Sequence, residues 1–100
     1  MAIGVYFQPN GLTLEQFRQI DRKVGEYLQE NNLEAPVGAL HLSVFGDDGQ
    51  LAVFNVWESE EAFRKFGEVL MPILAEVGIQ NAEPQIVPIH RLAQSEAEVR

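Results

Sequence analysis

Asn55-Val56-Trp57-Glu58-Ser59-Glu60-Glu61-Ala62-Phe63 carries the chain from an extended apolar run into a charged helix start. Ser59 is a preferred N-cap residue, and Glu60 and Glu61 sit well against the positive end of a helix dipole. Both acids also stand four residues before Arg64 and Lys65, a spacing that pairs them on one helical face. Beyond them Ala62, Phe63, Phe66, Val69 and Leu70 recur at helical spacing, and Ile73, Leu74 and Val77 continue the stripe. Pro72 interrupts it. Proline lacks the N–H and clashes with the carbonyl four residues back, which predicts a break at Met71-Pro72 and a short second segment ended by Gly78.

Upstream of the junction, residues 40–45 and 51–57 read as two strands joined through Gly46-Asp47-Asp48-Gly49-Gln50. An Asp-Gly step between apolar runs is a hairpin signal, since glycine takes the positive φ of the turn. Residues 3–8 form an earlier strand, closed by Pro9-Asn10-Gly11. Thr13 and Gln16 make a capping box for a helix over 14–30, whose apolar face is Leu14, Phe17, Ile20, Val24, Tyr27 and Leu28. Residues 85–92 read as a fourth strand, and Pro84 and Pro88 place it at an edge or a bulge.

The order is βαββαβ. It predicts an α+β, ferredoxin-like domain over residues 1–93, with a four-stranded antiparallel sheet and two helices on one face. The polar residues 94–100 are expected to form a flexible tail. Leu51, Val53 and Trp57 alternate with Ala52, Phe54 and Val56, so the sheet is apolar on both faces. Two helices on one face leave the other bare, and exposure costs about 25 cal/mol per Å². A homodimer through the sheet face is the expected cover.

Composition narrows the function classes. With 7 basic against 15 acidic residues the net charge is −8, and no basic patch is interleaved with aromatics, so nucleic acid is not an expected partner. There is no cysteine, hence no thiolate nucleophile or thiolate metal site. No run approaches the roughly 20 apolar residues of a membrane span, and the first residues lack a basic leader. A cytoplasmic protein without a membrane association is expected.

Trp57, Glu58, Ser59, Glu60, Glu61, Ala62 and Phe63, with the Pro72 interruption and the two-faced sheet, resemble the dimeric α+β barrel superfamily, and within it the antibiotic-biosynthesis-monooxygenase-like proteins. The resemblance implies two copies pairing as a dimeric α+β barrel. It includes cofactor-free quinol and polyketide oxygenases, haem-degrading enzymes, isomerases and proteins without known activity. The haem-degrading branch looks like an Asn on the first strand, a Trp at the end of the third and a His about three turns into the second helix. Here Trp57 matches, but Gln8 stands near the Asn position and Lys65-Phe66-Gly67 where the His should sit, so haem has no evident axial ligand. No cofactor is expected.

The candidate site centres on Trp57, the sole Trp, as the wall of a pocket for a flat aromatic ligand or as a core residue against Phe63 and Phe66. Asn55 shares its strand face and is placed to orient a ligand oxygen or to bond nearby backbone. Tyr6 is a candidate proton donor or an edge residue, and Phe66 a candidate ligand contact. His41 and His90 are the candidate general bases. Pairing Leu42 with Asn55 puts His41 on the face opposite Asn55, and pairing His41 with Asn55 unites them. Two histidines without a third ligand do not make a metal site, so none is expected. Three functions follow: a cofactor-independent monooxygenase or isomerase acting on a small aromatic, quinol or polyketide-like compound, a non-catalytic metabolite-binding or accessory dimer, or a structural dimer whose pocket Phe63, Phe66 and Met71 fill.

Overall fold

A computed structural model describes residues 1–79 and 83–93. The tail expected over 94–100 lies outside the described residues. The elements are β1 (Ile3–Phe7), α1 (Leu14–Glu30), β2 (Ala39–Phe45), β3 (Ala52–Trp57), α2 (Glu60–Val77) and β4 (Gln85–Pro88). The four strands form one antiparallel sheet in the order β2-β3-β1-β4. This is the ferredoxin-like βαββαβ arrangement, with β4 at an edge as its prolines require.

Both helix starts are built as their sequences specify. Thr13 Oγ1 accepts from the Gln16 N–H at 3.0 Å, while Gln16 Oε1 accepts from the Thr13 N–H at 3.1 Å. Ser59 Oγ accepts from the Ala62 N–H at 3.1 Å. Glu60 pairs with Arg64 at 3.0 Å and Glu61 with Lys65 at 3.3 Å. A further cap arrives from a distance: Asp48, in the β2–β3 turn, accepts from the Leu14 N–H at 2.9 Å. The hairpin turn and the start of α1 are thereby joined, a role its Asp-Gly sequence does not announce. Gly78 ends α2 with φ of 90°, the left-handed cap expected of it.

Two expectations fail. Helix α2 runs without a break through Pro72 to Val77. Proline removes one helical hydrogen bond, a cost of about 3 kcal/mol, but the apolar stripe continues on both sides and buries Leu74. Packing on either side holds the helix in register, and Pro72 itself is exposed. The fourth strand is also shorter than the sequence suggests. It ends at Pro88, which cannot extend the ladder; Ile89 adds one N–H bond to the Ala2 carbonyl at 3.0 Å, and His90 falls in a bend beyond the strand.

Register assigns the faces. Ile3 pairs with Trp57, Val5 with Asn55 and Phe7 with Val53, so these six share one face. Ile3, Val5 and Trp57 form the core there, with Ala39 and the α2 residues Ala62, Phe63 and Phe66 packed against them. Helix α1 lies beside α2, tied to it by Lys23 and Glu76 at 2.8 Å. The other face carries Gly4, Tyr6, His41, Ser43, Phe45, Ala52, Phe54, Val56, Gln85 and Val87. None of these side chains is a carboxylate, a lysine or an arginine. The Phe54 ring and the Ile89 side chain close over Gly4, each 2.9 Å from where a Cβ would stand, so a larger residue there would displace both side chains.

Replacing Asp48 with Ala removes the long-range cap. The expected loss is about 0.5–2 kcal/mol of folding stability, measured by urea unfolding, with no change in the far-ultraviolet spectrum.

Candidate functional site

Strand alternation brings Asn55 and Trp57 to the helix-covered face, flanked by β1 and β2. Trp57 is 1% exposed. Its indole packs against Phe63 and Phe66 with ring centroids 5.9 and 5.5 Å apart, both tilted. The two phenylalanines are one turn apart on α2, so the same helical face closes over the ring. That is the core packing expected of an aromatic anchor. It is not the whole of the residue's chemistry.

Trp57 Nε1 and Asn55 Oδ1 are both buried without a hydrogen-bond partner. An indole N–H is a donor only, and an amide oxygen is an acceptor. A buried polar atom left unpaired costs about 1–3 kcal/mol. The two atoms belong to residues i and i+2 of one strand face, one a donor and the other an acceptor.

A cleft of about 400 Å³, within the size range of small-molecule sites, is lined by neither residue of the pair but reaches the indole's packing partner Phe66. Tyr27 from the end of α1, Leu33, Pro36 and Val37 from the following loop, Glu58 and Ser59 from the junction, and Glu61, Ala62, Lys65 and Phe66 from α2 line it. The loop wall was hidden in the sequence, where Ala35-Pro36-Val37-Gly38 reads only as the end of a helix. Its signal is Gly38, whose φ of 86° and close approach to α2 admit no side chain: a Cβ would stand 2.6 Å from that of Ala62.

The remaining candidates are dispersed. Leu42 pairs with Asn55, so of the two registers the structure adopts the one that puts His41 on the opposite face. The ladder closes at Phe45 and Ala52, and Gly46 and Gly49 turn the longer connection with φ of 105° and 90°. His41 is exposed, its ring 6.5 Å from that of Phe54. Tyr6 shares that face, 6.5 Å from the ring of Phe45, and donates to Gln8 Oε1 at 3.0 Å. His90 follows β4 at the far edge. Three strand spacings, roughly 14 Å, separate the two edges, so His41 and His90 do not meet within one protomer. Phe66 alone among the candidates touches both the indole and the cleft. Met71 is 64% exposed and fills nothing. Among the described residues no group of three or more His, Asp or Glu side chains is gathered as a metal site requires, and no helix is long and apolar enough to cross a membrane.

Solved structures share this architecture. SnoaB, a cofactor-independent oxygenase from Streptomyces nogalater, superposes with a TM-score of 0.62 at 11% identity, covering 94% of this chain and 97% of its own. Rv0793 from Mycobacterium tuberculosis gives 0.63 at 12% identity, covering 94% and 100%. A Deinococcus radiodurans protein provisionally named an antibiotic biosynthesis monooxygenase gives 0.56 at 12%, covering 97% and 100%. No family model and no curated protein sequence matches the chain. The chain therefore shares the ferredoxin-like βαββαβ fold of these proteins, and identities this low establish the fold alone.

Trp57→Ala is expected to cost about 3–5 kcal/mol of stability in denaturant unfolding. Trp57→Phe keeps an aromatic ring between Phe63 and Phe66 and is expected to fold with a much smaller loss.

Proposed function

We propose that the protein is a cytoplasmic, small-molecule-binding homodimer that holds a compact aromatic, quinol or polyketide-like compound between its sheet and helices. The observation that carries this reading is the buried, unpaired couple of Asn55 Oδ1 and Trp57 Nε1, with a cleft that reaches the indole's packing partner Phe66. A ligand hydroxyl would donate to the first and accept from the second, while its ring would stack on the Trp57 indole from the Phe66 side. One such aromatic contact is worth about 0.5–1.5 kcal/mol beyond its buried area.

Binding without chemistry takes precedence over catalysis because the two histidines stand away from this couple. The likeness to SnoaB supports the second reading, cofactor-independent oxygenation. In that reading a bound quinol loses a proton and the electron-rich anion reacts with O₂ directly. It needs a base at the ligand, and His41 opens onto the other sheet face. Oxygen uptake in the presence of quinols decides between them: uptake that follows protein concentration establishes the enzyme, and binding without uptake establishes the carrier or sensor.

The dimer is supported by the uncharged sheet face. On a chain of net charge −8, self-association requires a surface where like charges do not meet. Phe45 and Val87 on that face are 48% and 42% exposed, which is costly unless a second sheet covers them. Sedimentation equilibrium is expected to give a dimer at micromolar concentration. Phe45→Glu, at a position already exposed in the protomer, should weaken it by about tenfold or more without unfolding the chain.

Because Trp57 is the sole Trp, its fluorescence reports binding from one place. Titration with phenols and quinols is expected to quench it, and Asn55→Leu should weaken that binding by about tenfold while the protein stays folded. A panel that leaves the emission unchanged would remove the binding reading and leave Trp57 as a core residue only.

A further inference from the structure

Phe66 belongs to two environments at once. Its ring packs on Trp57 at 5.5 Å, and the same side chain lines the cleft. Phe63 packs on the indole from a similar distance, 5.9 Å, but is not among the residues that line the cleft. The cleft and the polar couple are complementary in what they lack. The cleft has room, but two of its polar groups are already engaged: Ser59 Oγ accepts from the Ala62 N–H, and Lys65 pairs with Glu61. Asn55 Oδ1 and Trp57 Nε1 have no partner and no exposure.

The cleft wall opposite α2 is fixed. The Glu58 N–H donates to the Gly38 carbonyl at 2.8 Å, and the loop touches α2 at Gly38 too closely for any side chain. What divides the cleft from the indole is, by contrast, a half-buried aromatic side chain. Side-chain rotation is far faster than movement of a hydrogen-bonded loop.

We propose that the cleft and the Asn55–Trp57 couple are the outer and inner halves of one ligand site, with Phe66 as the gate between them and an aromatic hydroxyl compound as the occupant. This rests on the binding reading above and adds to it a route and a residue that controls the route. The hydroxyl is chosen because it is the simplest group that can donate to an amide oxygen and accept from an indole N–H. A carboxylate or phosphate offers no proton to Asn55 and would have to pass Glu58 and Glu61 on a chain that is already acidic.

The test is stopped-flow quenching of Trp57 fluorescence with 1-naphthol as the probe, on the wild-type chain and on Phe66→Ala, Phe66→Leu and Phe63→Ala. A gate at Phe66 predicts that Phe66→Ala raises the association rate constant by about tenfold or more. Phe66→Leu should give an intermediate rise, and Phe63→Ala should stay within about twofold of wild type. Phe63→Ala removes a ring from the indole without opening the cleft, so it controls for loosening of the core. If Phe66→Ala fails to fold by circular dichroism, Phe66→Leu against Phe63→Leu decides the matter. Equal acceleration in the Phe63 and Phe66 variants, or none in either while quenching persists, would overturn the gate and leave the binding reading intact. Absence of quenching in every variant, wild type included, would overturn the binding reading and the gate with it.

Discussion

The register of β3 is the constraint on which the rest of the molecule depends. It pairs with a strand on each side, so a slip of one residue would send Trp57 and Asn55 to the opposite face and Phe54 and Val56 under the helices. Two fittings hold it. On one side Trp57 is trapped between Phe63 and Phe66 of α2, a helix whose position follows directly from the strand through Ser59. On the other, the Phe54 ring and Ile89 lie over Gly4, and a Cβ there would displace both side chains. Large aromatics are thus committed to opposite faces at alternate positions, and the pairing has one acceptable solution.

What the sequence made legible follows from periodicity and caps. The helix over 14–30, both caps, the Glu–Arg and Glu–Lys pairs and the strand order were readable because each rests on interactions within a few residues. The errors fell where distant packing overrode a local rule. Pro72 is a local helix breaker, yet the stripe that buries Leu74 carries the helix past it. Pro88 had the opposite fate: at an edge with nothing to carry the ladder onward, it ends the strand and leaves His90 outside.

The site was half legible for the same reason. Trp57 and Asn55 share a face by the period of a strand, and their pairing with the core needed no tertiary information. The face of His41 needed the hairpin register, which a six-residue connection containing two positive-φ glycines does not disclose. The cleft was beyond reach, because its wall is a loop more than twenty residues before the helix it meets. Only Gly38, whose left-handed backbone lies too close to Ala62 to carry a Cβ, records that approach.

The helical layer is lightly fastened. Helix α1 contains no buried residue and α2 only Leu74, so neither is sunk into the sheet. Their ion pairs are largely exposed and add little. Thr13 and Ser59 cap their own helices, while the Asp48 cap from the hairpin turn and the Trp57–Phe63–Phe66 cluster join the layer to the sheet. Elements that must open for a ligand are drawn from the less stable parts of a fold, and a rigid sheet under a loosely held helical layer has that character. The cost is concentrated at one residue: Trp57 supplies much of the attachment between layers and also carries a buried N–H with nothing to bond. A phenylalanine there would keep the aromatic packing and bury no donor; the indole instead leaves its N–H, like the Asn55 Oδ1, without a partner from the chain.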